Sequence, residues 1–320
     1  MFPFYSTIER IAAWFAILFN VFLILLIQKK SLSKLGNYKY LMMYISIYEI
    51  LFALLDWITV PVLFTTNCMN FLIMRVDKLF FPISKPLLQI LNILFCLMFG
   101  MSMSLFATHF VYRYMVLSRQ KILRTNDKTV IALMILFSLL FGLVWGVLAW
   151  DTMQPFPEAD EKISELVAIP LGLSMSQIAY VGVLFYTEDR YGSSLTHWPS
   201  VVGIGVQSVF IGISFILIIY FGFLCYQQTH TIAMTQSSAT SSIQNQLFYA
   251  LVFQTLIPIC LMHIPASIVY AVAAMNRSNE IFGQFLSFSI CLYPALDPLP
   301  NFFIIKSYRK AVKGKKATII

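Results

Sequence analysis

The sequence predicts an all-α integral membrane protein, one bundle of seven transmembrane helices over residues 1–320 with the N-terminus outside and the C-terminus cytoplasmic. Three observations predict it. Hydrophobic residues make up 59% of the chain and charged residues 11%, where a soluble domain carries about 25% charged residues. Seven runs approach or exceed the ~20 apolar residues that cross a hydrocarbon core. Lys and Arg gather at alternate ends of those runs, as they do in short cytoplasmic loops.

The first span, Ile11–Ile27, follows Glu9-Arg10 and meets Lys29-Lys30 without a small-residue cleavage site, so it is expected to stay as a helix and not to be removed as a signal peptide. The second, Tyr40–Phe64, carries Glu49 and Asp56, and the third, Leu87–Leu117, ends in Tyr112-Arg113-Tyr114. The fourth is Val130–Trp150 and the fifth Val201–Tyr226. The sixth, Leu247–Met275, contains Pro258 and Pro265; the seventh, Ile281–Ile305, contains Pro294, Asp297, Pro298 and Pro300 and runs into a basic tail over 306–320. An eighth candidate, Ile169–Tyr186, is diluted by Pro170, Gly172, Ser174, Ser176, Gln177 and Gly182.

Charge placement decides between seven spans and eight. Seven spans put Lys29, Lys30, Lys34, Lys39, Arg113, Arg119, Lys121, Arg124, Lys128, Lys306, Arg309, Lys310, Lys313, Lys315 and Lys316 inside, 15 of the 22 basic residues. Counting Ile169–Tyr186 as a span divides them 11 and 11, so it is assigned to the connection Asp151–Ser200, acidic at first and then semi-apolar. That connection suits a lid over the bundle mouth, or a solvated loop with one interfacial patch.

The same placement explains the net charge of +8 through topology and membrane-surface attraction, and nucleic acid is not an expected partner. His109, His197, His230 and His263 have no second ligand at helical spacing, so no metal or other cofactor is expected. No Gly-x-Ser-x-Gly or paired-Asp protease motif occurs, and the chain does not read as an enzyme. Cys68, Cys96, Cys225, Cys260 and Cys291 form no disulfide framework; Cys225 suits a palmitoylation site or a buried small hydrophobe. The Asn276-Arg277-Ser278 sequon sits in a loop too short to favour glycosylation.

Carboxylates inside spans are the sharpest signal, because each costs about 2.5 to 3.5 kcal/mol on insertion scales. Glu49 lies ten residues past Lys39 and Asp297 nine before Lys306, so at ~1.5 Å per residue both sit about 13.5 to 15 Å from the inner surface. Equal depth allows contact, and two such groups cannot both stay charged without a cation or a shared proton. Asp56, seven residues from Glu49, shares its helix face nearer the outside. Each could instead be satisfied by a neighbouring Ser, Tyr or Asn and only hold helices together. The prolines of the last two spans must kink or unwind them, and Asp297 is placed to re-satisfy carbonyls freed beside Pro298.

Asp297-Pro298 followed by "KSYRKAVKGKK" resembles the Asn/Asp-Pro-x-x-Tyr element and surface helix of G-protein-coupled receptors, with Asn301 in place of the Tyr. Tyr112-Arg113-Tyr114 resembles their Asp-Arg-Tyr element, with Tyr112 in place of the Asp. The strings "KLGNYKYLMMYISIYEILFALLD" (34–56), "HFVYRY" (109–114), "QTLIPICLMHIP" (254–265) and "YPALDPLPNFFIIKSYRKA" (293–311), in that order and spacing, are together similar to the nematode serpentine chemoreceptors of the Str class.

The resemblance implies an olfactory-type receptor in the plasma membrane of sensory neurons, at the cilium, coupled to a heterotrimeric G protein. Glu49, Asp297, Pro298, Pro258 and Pro265 then form a polar hinge, and Tyr112, Arg113 and Tyr114 border the G-protein side. On the third helix Gln89, Asn92, Cys96 and Met103 fall on one stripe, and two amides on a membrane helix face the bundle. They are the candidate ligand-binding residues, for a small neutral odorant such as a ketone, ester or alcohol and not an amine or acid, the alternative being that Gln89 and Asn92 only bond neighbouring helices. A seven-helix ligand-gated channel and a small transporter remain alternatives. The first would place the N-terminus inside, and the second should show repeats with broken helices in both halves.

Overall fold

A computed structural model describes residues 5–30, 36–79, 83–188, 194–235 and 237–313. Lys34, Lys315 and Lys316 from the basic partition, and the end of the basic tail, lie outside them. Helices α1 (Tyr5–Lys30), α2 (Tyr38–Thr59), α3 (Lys85–Leu117) and α4 (Lys121–Thr152) supply the first four spans. After α5 (Pro157–Ile163) and α6 (Ile169–Leu171), α7 (Trp198–Thr235) supplies the fifth, running past the expected Tyr226. The sixth consists of α8 (Ser238–Pro258), a π-helical turn Ile259–His263 and α9 (Ile264–Ala274). The seventh consists of α10 (Glu280–Leu296) and α11 (Leu299–Ile304), and α12 (Lys306–Val312) then leaves it at a bend of 103°. Large apolar side chains such as Leu133, Phe137, Ile216, Ile219 and Phe223 point outward, as lipid-facing helices require.

The prolines act where sequence placed them. Pro258 ends α8 and Pro265 begins α9, and the π turn between them widens the helix there. Pro294 lies inside α10, and Pro298 separates it from α11, whose first turn holds Pro300.

A β-sheet at one end of the bundle was not expected. The second span, read through Phe64, stops at Thr59 because Val60 takes a left-handed conformation (φ 45°) and Pro61 cannot continue the helix. Residues Val62–Thr66 form β1 instead, turning at Asn67-Cys68 into β2 (Met69–Arg75); Asn67 accepts the positive φ (49°) that the two-residue turn demands. The diluted run 169–186 yields β3 (Ile178–Leu184), antiparallel to β2 with Met69 opposite Leu184 and Arg75 opposite Ile178. Strands β4 (Tyr186–Glu188) and β5 (Ser194–Thr196) pair separately.

The three-stranded sheet is buried on both faces. Leu72, Met74, Ala179, Val181 and Val183 pack toward the bundle, while Phe71, Ile73, Ile178 and Tyr180 pack under Ala159, Ile163 and Val167, the period-2 alternation of a pleated strand. Asp151–Ser200 is thus largely a folded cover. Gly182 permits it, since a Cβ there would stand 2.2 Å from the Asn70 carbonyl oxygen.

Candidate functional site

Three layers of polar structure run down the bundle. At the sheet end, a small cavity lies beneath Leu63 of β1 and Leu72 of β2. Its walls are Phe95, Cys96 and Phe99 of α3, Trp145 of α4, Gln207 of α7, Ala266 and Tyr270 of α9, and Leu286 and Ile290 of α10. An apolar wall with few polar groups suits a small apolar guest.

Of the stripe Gln89, Asn92, Cys96 and Met103, Cys96 lines this cavity. Gln89 donates through Nε2 to the Tyr180 carbonyl (2.8 Å) and so holds the sheet. Met103 packs with Phe106 and Ile218 nearer the other end. Asn92 is fully buried, with neither end of its amide partnered among the described residues. A helical stripe cannot tell which neighbour each of its residues meets. Gln207, a lone amide in an apolar run, carried the same kind of signal on α7.

The middle layer brings Glu49 and Asp297 together. Both are fully buried and near enough for their charges to interact, and the Tyr293 hydroxyl reaches Glu49 Oε1 (3.5 Å), while Glu49 Oε2 and Asp297 Oδ1 have no hydrogen-bond partner among the described residues. Gln254 donates to Asp297 Oδ2, and Asn301 donates to Gln254 Oε1 (3.3 Å). Asn301 thereby works inside the network, where the resemblance offered a Tyr. The proline repair is made by Asn20, not Asp297. Pro298 has no N–H for the Pro294 carbonyl four residues back, and Asn20 Nδ2 donates to that oxygen at 2.9 Å and to the Ala16 carbonyl at 3.0 Å. A carboxylate has no proton to give there. Gln254 stands four residues before Pro258, so this layer touches both broken spans. Asn20, Gln254, Tyr293 and Asn301 complete it; lone amides in apolar runs were the available signal. Asp56 lies apart, toward the sheet end near Glu9.

The basic end is built around Arg113, which is 2% exposed. Its guanidinium lies over the Tyr38 ring (5.2 Å) and donates to the Gln244 carbonyl (3.3 Å), so it is held inside the bundle. Tyr112 turns away to donate to Asp127 Oδ1 (2.7 Å), and Asp127 Oδ2 accepts from Asn37 Nδ2 (2.8 Å). Tyr114 packs on Phe221 of α7. Cys225 is buried with its thiol on the Phe110 carbonyl, the small-hydrophobe role and not an acylation site.

Residues 5–313 match the profile of the serpentine type 7TM GPCR chemoreceptor Str family. The chain belongs to the Str family of seven-transmembrane chemoreceptors. Among relatives, this Str receptor is 34% identical to G-protein coupled receptor str-217 of Caenorhabditis elegans, over 98% of this chain and 90% of that protein. It is 28% identical to serpentine receptor class r-10 of Caenorhabditis briggsae, over 93% and 86%. The crystal structure of squid rhodopsin shares the fold, with a TM-score of 0.65 at 10% identity over 97% of this chain and 83% of that one. The Str receptor is therefore a multi-pass membrane protein of a receptor family and not of an enzyme family, and neither the channel nor the transporter reading is favoured.

Proposed function

We propose that the whole chain is one receptor domain that detects a small neutral, volatile odorant and signals through a heterotrimeric G protein. In this reading it sits in the plasma membrane of a sensory neuron, at the cilium, with the sheet end outside and the basic end in the cytoplasm. The observation that carries the reading is the apolar cavity under the sheet, walled by both broken spans. A guest wedged between α3, α9 and α10 changes the packing of helices already interrupted at Pro258 and Pro298. Gln254 and Asp297 couple those two breaks. At the basic end, Arg113 is held by a ring face and one carbonyl, with no acid on it among the described residues, so a modest shift of α8 frees it for a partner protein.

The test is expression in heterologous cells with calcium or cyclic-nucleotide readout, screened across volatile ketones, esters and alcohols beside matched amines and acids. Neutral agonists are expected, with a tag at Met1 accessible on intact cells and one after Ile320 not. Reversed labelling, or agonists confined to the charged compounds, overturns the reading.

A further inference from the structure

We propose that the ligand reaches the cavity sideways from the membrane, through a gap between α7 and α9, and that the Gln207 amide receives it. The ligand is then a lipid-soluble molecule with one hydrogen-bond acceptor, such as a carbonyl or ether oxygen. This deepens the receptor reading above and rests on it for the ligand's signalling role, but not for its binding.

The sheet end is closed by hydrogen bonds made through backbone. The Leu63 N–H donates to Ser287 Oγ (2.7 Å), and the Gly283 N–H donates to Thr65 Oγ1 (3.1 Å), stapling β1 to α10. Asn67 and Ser278 exchange backbone bonds of 2.8 and 3.0 Å, and the Gly182 N–H donates to the Met153 carbonyl (3.1 Å). Opening that roof breaks several buried bonds at once, each of which leaves unpaired groups.

The side of the bundle is different. α7 packs on α3 and α8 but barely touches α9, and an open groove lies between them. Val201, Gly205 and Ser208 on α7 face Ser267, Ala271 and Ala274 on α9 across it, each set spaced at helical intervals along one face. Small side chains there leave the space unfilled. Phe99, Trp145, Gln207, Ala266 and Tyr270 line both this space and the cavity, so only these side chains stand between the two.

Gln207 stands at the junction. It is 5% exposed, and its Nε2 has no hydrogen-bond partner among the described residues. A buried N–H without an acceptor is costly, and a ligand oxygen arriving through the gap relieves that cost. Among the described residues the walls carry no carboxylate, Lys or Arg, so none of those residues compensates a charged guest.

The experiment uses the full chain in phosphatidylcholine vesicles and two photoreactive probes, a diazirine-bearing medium-chain methyl ketone and the matching hydrocarbon, with labelled residues mapped by mass spectrometry. The ketone is expected to label residues lining the cavity more strongly than the hydrocarbon does. Gln207→Leu should remove that preference, about five- to tenfold for one buried hydrogen bond, while hydrocarbon labelling stays unchanged. Gly205→Trp should slow ketone labelling of the cavity about tenfold or more, because a Cβ at Gly205 meets nothing within 4 Å and the indole is free to fill the gap. Gly205→Ala should label at the original rate, and gel filtration confirms that both variants are folded. Absent cavity labelling, an undiminished ketone preference in Gln207→Leu, or an unchanged rate in folded Gly205→Trp overturns the proposal. Labelling as expected without any odorant-evoked signal in cells leaves this site standing and sinks the receptor reading instead.

Discussion

The two ends of this bundle are closed by different physics. The sheet end is held by strand pairing, by backbone bonds to α9–α10, and by apolar layers on both faces of the sheet, with no disulfide among the described residues. The basic end is held by side chains: a guanidinium on a ring, one 3.3 Å bond to a carbonyl, and Tyr112 on Asp127. Backbone closure is lost only with the fold, whereas side-chain contacts exchange partners by rotation. The difference teaches which end is built to stay and which to change.

The largest expected effect breaks the stable end. Gly182→Val drives a Cβ into the Asn70 carbonyl at 2.2 Å and the Phe71 Cα at 2.6 Å, so strands must separate at a cost above about 3 kcal/mol. Surface expression and the melting temperature of the solubilised receptor should both collapse; a receptor that melts normally would mean the sheet is not what holds this end.

Next comes the middle layer, which joins the two ends. In a double-mutant cycle, Glu49→Gln with Asp297→Asn should lose less stability than the two single changes together, with a coupling of about 1 to 3 kcal/mol. Strict additivity in thermal melts would separate the pair. At the basic end, Tyr38→Leu removes the ring under Arg113, worth about 1 kcal/mol, and should raise ligand-independent signalling about fivefold. Arg113→Ala should lower evoked signalling more than surface expression, and unchanged signalling at matched surface levels would remove Arg113 from the switch.

The smallest effect returns to the sheet. The Tyr180 hydroxyl donates to Asp160 (2.9 Å), and burial followed by the Asp160 carboxylate holds its pKa above the ordinary tyrosine value. A raised folded pKa gives stability that is present at neutral pH and is lost only as the pH climbs past the ordinary tyrosine range. Tyr180→Phe should therefore cost under about 1 kcal/mol at pH 7, seen as a melting shift of a few degrees. A shift as large as that of Gly182→Val would give side chains the role assigned here to backbone.

The spans were legible because lipid demands long apolar runs and their basic flanks. The sheet was not, for a physical reason: a strand buried on both faces loses polar alternation, so Val62–Phe64 read as the tail of α2 and Ile178–Leu184 as a failed span. Glu49 and Asp297 could be brought together from depth alone, since helical rise converts sequence distance to height. The cavity could not, because height does not give azimuth. Gln89, Asn92, Cys96 and Met103 share one face of α3, yet they meet the sheet, the bundle interior, the cavity and the lower core in turn. Gln207 comes to the cavity from another helix altogether.

The bond from Asn20 to the Pro294 carbonyl joins a helix made early on the ribosome to one made much later, across 274 residues of chain. Until residue 294 emerges, the amide has nothing in the seventh span to bind, and in lipid a lone amide costs several kcal/mol. The partly made chain thus carries in α1 an amide that donates only to its own helix, at the Ala16 carbonyl, until the final span brings it the second acceptor. Asn20→Leu would free the early helix of that burden and leave the Pro294 carbonyl stranded instead, so nascent chains truncated before 294 should become less prone to degradation while full-length receptor becomes more so.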